Sequence, residues 1–97
     1  MNRLDLVAEI AEVSPLRYTP AGLPALDLNV SHASRVEEAG QAREVKLTLR
    51  AVGVGAVAER LVAQHLGSVW QFTGFLASPR NSKQPVFHIQ DFQTISS

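Results

Sequence analysis

Apolar residues recur at every second position in five separate stretches of this chain, and at helical spacing in only one. Three strands, one helix and two more strands limit the fold to a small all-β architecture with one helix. The first stretch, 4–13, alternates Leu4, Leu6, Ala8 and Ile10 with Asp5, Val7, Glu9 and Ala11, the period of a half-buried strand. Ser14-Pro15 breaks it. Two prolines and a glycine between Tyr18 and Pro24 predict a turn-rich segment without regular structure. The second strand reads Ala25 to His32, with Leu26, Leu28, Val30 and His32 facing in and Asp27, Asn29 and Ser31 facing out. Polar residues from Ala33 to Ala42 predict a connecting loop. The third strand turns Val45, Leu47, Leu49 and Ala51 inward and Glu44, Lys46, Thr48 and Arg50 outward.

The period then changes. Val54, Val57, Ala58, Leu61, Val62 and Leu66 fall at helical spacing, with Glu59, Arg60, Ala63 and Gln64 opposite. Gly67 stands where a helix-terminating glycine belongs. A fourth strand, Ser68 to Ala77, places Trp70, Phe72, Gly74 and Leu76 on one face. Ser78 to Pro85 is a loop rich in breakers, and a fifth strand, Val86 to Ile95, offers Phe87, Ile89 and Phe92 for packing. This is the element order of the OB fold, a five-stranded Greek-key barrel with its helix between strands three and four. A single OB-fold domain is expected over residues 1–97. Unpaired strand rims in so small a sheet recruit other strands, so a homodimer is expected.

Composition narrows the function classes. No stretch approaches the roughly 20 apolar residues of a membrane span, and Met1 to Leu6 runs straight into the alternating pattern without a signal-peptide core. The chain contains no cysteine, which removes disulfides and thiolate metal ligands and fits a cytoplasmic protein. His32, His65 and His88 are scattered over two strands and the helix, so no metal site is expected. Glu37-Glu38 reads as a solvated loop face rather than paired catalytic acids. Gly53 and Gly55 lack the third glycine and lysine of a phosphate loop. No serine has a triad context. The expectation is a binding protein, without enzymatic activity or cofactor.

Nine basic and nine acidic residues cancel, so a polyanion binder of this composition must gather its cations on one side. Lys46, Thr48 and Arg50 share the outer face of the third strand, the face that OB folds present to oligonucleotides. The loops expected to border that face carry Arg17 with Tyr18, and Arg80 with Lys83, while Arg35 and Arg43 bracket the loop between strands two and three. Single-strand binders usually add aromatic platforms. Trp70 and Phe72 share the register of Leu76 and read as core, and Phe87 is ambiguous. Tyr18 and Phe75 are the candidate stackers.

Two segments carry a resemblance. Asn2-Arg3-Leu4-Asp5-Leu6-Val7 with Pro15-Leu16-Arg17-Tyr18-Thr19-Pro20-Ala21-Gly22, and Gly67-Ser68-Val69-Trp70-Gln71-Phe72-Thr73-Gly74-Phe75-Leu76, resemble bacterial single-stranded DNA-binding proteins. Val36-Glu37-Glu38-Ala39-Gly40, Gly74-Phe75-Leu76 ahead of a basic loop, and a chain stopping at Ser97 without an acidic tail are similar to the primosomal replication protein N (PriB) family. The resemblance spans essentially the whole chain. It implies an OB-fold homodimer that binds single-stranded DNA in replication restart, stimulating the restart helicase (PriA) and handing over to a further primosomal protein (DnaT). It also implies DNA contacts at Lys46 and in the Arg80–Lys83 segment. Lys46 stands where some members have tryptophan, Tyr18 where relatives can be basic, and Ala8 where a glycine is common. Weaker or more salt-sensitive binding is therefore expected. Two alternatives remain open: a general single-strand binder, and a protein–protein adaptor on an OB scaffold with marginal DNA contact.

Overall fold

The computed structural model describes residues 1–95. The elements run β1 (Leu4–Val13), β2 (Arg17–Tyr18), β3 (Pro24–Glu38), β4 (Gln41–Val54), α1 (Ala56–Val62), β5 (Val69–Ala77) and β6 (Val86–Gln93). The sheet order is β1-β5-β6-β4-β3-β2, and an added β1–β3 pairing closes the five long strands into a barrel. All pairings are antiparallel except β4 with β6, which meet in parallel at Ala51↔Phe87 and Val52↔His88. The OB architecture expected from the alternating segments is the one observed.

The core follows the alternation. Ala8, Ile10, Leu26, Leu28, Val30, Ala51, Phe72, Phe87 and Ile89 are buried together, and Val57, Ala58 and Leu61 of α1 pack against them. Gly53 makes room for the helix, since a Cβ there would lie 2.8 Å from Leu61. Two register shifts re-aim side chains. One extra residue, Ala11, separates Ile10↔Val30 from Glu12↔Asn29, so β1 is bulged there and Ala8 lies in regular pairing with Trp70. The other adds Gln90 opposite the Thr73–Gly74 step. It lets Phe92, out of phase with Phe87 and Ile89, turn inward as well.

Four expectations need correction. Residues 33–42 are not a loop. β3 and β4 stay paired as far as Glu38↔Gln41, and Ala39 and Gly40 turn the hairpin with φ of 53° and 79°. Positive φ at both turn residues matches the twist of the flanking strands. The resulting arm gives an elongated outline of 50 × 32 × 23 Å. Segment 33–42 looks loop-like because its residues are mostly exposed on both faces of a two-stranded ribbon, so no apolar period marks them.

The helix is also shorter than its period. Val54 ends β4, and Val62 and Leu66 are exposed rather than core, at 44% and 66%. Gly67 does have positive φ (86°), but it lies beyond the helix end and opens the turn into β5, donating its N–H to Ile10 O at 2.8 Å. Tyr18, read as part of an irregular turn, pairs with Pro24 in the short β2–β3 ladder. Finally, Val45, Leu47 and Leu49 keep the register of Ala51 but outrun the barrel: Leu47 is 40% exposed.

Candidate nucleic-acid interface

Register places Arg50 opposite Asn29, Thr48 opposite Ser31, Lys46 opposite Ala33, and Glu44 opposite Arg35. Arg50, Thr48, Lys46 and Arg35 therefore share the outer face of the β3–β4 ribbon. With about 3.4 Å per residue, Arg50 to Lys46 covers roughly 14 Å of strand. At the barrel end of this stripe lies a groove of about 520 Å³ whose walls include Arg17, Arg50, Val54, Pro79 and His88. Ala77, Ser78 and Pro79 line it too, so the β5–β6 loop that carries Arg80 and Lys83 begins at its rim.

Ion pairing sorts the cations. Arg3 is held by Asp5, Arg17 by Asp27, Arg43 by Glu38 and Arg60 by Asp91, at 3.0, 2.6, 3.1 and 2.6 Å. Among the described residues no such partner holds Arg35, Lys46, Arg50, Arg80 or Lys83. All five belong to the stripe or its bordering loop. Neutral overall charge thus hides a side whose cations lie outside salt-bridge range, although Glu44 shares that face opposite Arg35 and Arg50 acts on Asp27. Arg43 lies on the opposite face of the arm, beside Val45, and does not join it.

Arg17 is less free than its position suggests. Its Nε donates to Asp27 Oδ2 at 2.6 Å and its Nη2 to Oδ1 at 3.1 Å. These hydrogen bonds hold the Asp27 carboxyl below its ordinary range, against the opposing effect of partial burial; the charges of Arg17 and Arg50 act in the same direction.

The aromatic inventory divides as cleanly. Trp70 donates from Nε1 to Ser68 Oγ at 2.9 Å and meets Phe92 edge-on at 5.1 Å, so it serves packing. Phe72 and Phe87 are fully buried. Tyr18 is 66% exposed beside Arg17. Phe75 faces outward and half-buried, stacked on His88 with centroids 4.8 Å apart. His88, absent from the candidates drawn from the sequence, lines the groove as well, and its outward register between buried Phe87 and Ile89 is readable from the alternation. His32, expected to face inward, is only half-buried. Its Nδ1 donates to Val7 O at 2.6 Å and its Nε2 accepts from Ser34 Oγ at 2.9 Å.

The chain resembles known proteins over nearly its whole length. The model of a family described as "another single-strand binding protein family" matches residues 2–91. The replication restart protein PriB of Bordetella pertussis is 44% identical over 97 residues, covering 99% of this chain and 91% of that protein. The chain belongs to the PriB family of replication restart proteins. A PriB structure from Ralstonia solanacearum superposes with a TM-score of 0.88 at 39% identity, covering 97% of both chains. The single-stranded DNA binding protein of Thermus aquaticus shares the fold, with a TM-score of 0.76 at 25% identity over 99% of this chain and 50% of that one. The barrel read from the alternating segments is thus the barrel of the PriB family and of single-strand binding proteins.

Proposed function

We propose that the chain binds single-stranded DNA along the outer face of β3 and β4 and the β5–β6 loop, as an accessory protein of the replication-restart primosome. The observation that carries this reading is the segregation onto that side of Arg35, Lys46, Arg50, Arg80 and Lys83, the cations without a salt-bridge partner among the described residues. Family membership supports the restart setting, in which the chain would bridge the restart helicase (PriA) to the later component DnaT, in the cytoplasm. No helix among the described residues is long and apolar enough to cross a membrane. The role is binding rather than catalysis.

A homodimer completes the reading. β1 pairs with β5 from Leu4 to Glu9 but with β3 only from Glu9 onward, leaving one edge of its first half without a strand. On the arm, Val36 and Leu47 are 44% and 40% exposed on the face that continues the core. A free edge beside an uncovered apolar face suits a second copy. Sedimentation equilibrium at micromolar concentration should give twice the mass of 10.5 kDa; a monomer there would refute the dimer.

The DNA reading is tested by fluorescence anisotropy of labelled dT oligonucleotides between 50 and 200 mM salt. If four cations each meet a phosphate, a slope of about −0.7 per contact predicts a loss of roughly 50-fold. No binding even at low salt would leave the adaptor reading, which the absence of a tryptophan on the cationic face favours.

A further inference from the structure

The strand registers line up a transverse row across the outer face of the barrel. Asp27 on β3 stands opposite Val52 on β4, Val52 opposite His88 on β6, and His88 opposite Phe75 on β5. Arg17 closes one end of the row through its bonds to Asp27. The other end is aromatic. The Phe75 and His88 rings are parallel to within 7° at 4.8 Å, so the imidazole is held flat against a hydrocarbon plate.

A groove of about 400 Å³ opens beside this pair, where β4 and β6 diverge after their two paired residues. Its walls are Val52, Val54, Ala56, Val57 and Ile89, and Gln90 contributes an amide. No cation lines it, so it is no phosphate seat. It shares Val52, Val54 and His88 with the groove bordered by Arg17 and Arg50. A chain whose phosphates lie on Arg50 would have apolar space, bordered by the Phe75 and His88 side chains, within reach for a base.

We propose that His88, kept flat by Phe75, is a nucleobase-stacking residue, and that the groove between β4 and β6 takes one base of the bound strand. This rests on the single-stranded DNA reading and adds a base contact to it. Stacking needs a π-face and tolerates any base, so it gives affinity without adding to the salt dependence.

The test compares a dT 15-mer with an oligonucleotide of the same length whose sugars carry no bases. His88→Ala should weaken binding to the dT 15-mer by about 10-fold, leave binding to the abasic strand unchanged, and keep the salt slope of the wild type. His88→Phe, which keeps a flat ring, should restore most of the loss. A urea midpoint for each variant separates stacking from misfolding. Equal binding of His88→Ala and wild type to the dT 15-mer overturns the proposal, as does an equal loss on both strands. Should the wild type bind neither strand, the DNA reading falls and takes this subsite with it.

Discussion

On the β1–β5–β6 side of the barrel, Asp5, Thr73 and Asp91 form one row across three strands. Arg3 binds Asp5, Thr73 donates its hydroxyl to the same carboxylate at 2.8 Å, and Arg60 reaches Asp91 while lying 4.5 Å over the Phe92 ring. On the β3–β4 side, Arg35, Lys46 and Arg50 point outward, and among the described residues no acidic group comes within salt-bridge distance of them. The two sides draw on the same residue types. One spends its cations on local pairs, which at such exposure stabilise the fold only weakly. The other leaves them to solvent, where they attract anions. Net charge describes neither side.

The sharpest way to break this contrast is at Gly74, on β5 of the paired side. A Cβ there would fall 1.8 Å from His88 O. Backbone cannot yield as a flexible side chain does, so Gly74→Ala should destabilise the fold by about 3 kcal/mol, read as a lowered urea midpoint. Thr48→Ala, on the cationic face, should stay within roughly 0.5 kcal/mol of the wild type. Matching midpoints for the two variants would mean that the close packing assigned to the β5–β6 side is wrong.

Next in size is the Lys46→Ala/Arg50→Ala pair. Removing two phosphate contacts should weaken binding to dT oligonucleotides by about 10-fold and flatten the salt slope by about 1.4, with little change in urea midpoint. Arg3→Ala/Arg60→Ala removes the same formal charge from the other side. If the sides differ as described, this second double variant keeps the wild-type slope. An equal effect from both would make the binding a response to total charge, with no cationic face.

Much of this contrast was legible in the residues themselves. Alternation in 44–51 placed Lys46, Thr48 and Arg50 on one face because a side-chain period of two leaves no other option. The barrel was readable for the same reason, since each long strand buries one face. The arm was not: segment 33–42 leaves the barrel, and an Ala-Gly turn lacks the Asn-Gly or Asp-Gly signature of a tight hairpin. Helical spacing overran α1 at both ends because Val54 and Leu66 happen to fall in phase. Pairing was invisible as well. Nothing along the chain distinguishes Arg17, ten residues from Asp27 and bonded to it, from Arg50, which makes no salt bridge among the described residues. Salt bridges between strands depend on register, and register across a barrel is settled by closure.

Arg17 is therefore where the two behaviours meet: a cation on the DNA-facing side that is paired like those on the other. Asp27→Asn should release it, raising the salt slope by about 0.7 and tightening low-salt binding roughly 3-fold. The cost in stability should stay under about 1 kcal/mol, because the two side chains are 51% and 43% exposed. Acid should act in the same direction. The Asp27 carboxyl titrates below its unfolded value of about 3.9, so the pair's small contribution to stability is complete above that pH. It fades as pH falls through the folded titration, and Arg17 is freed over the same range. A slope for Asp27→Asn equal to that of the wild type would show that Arg17 braces the β2–β3 corner and never meets a phosphate, shrinking the cationic face to Arg35, Lys46, Arg50 and the β5–β6 loop.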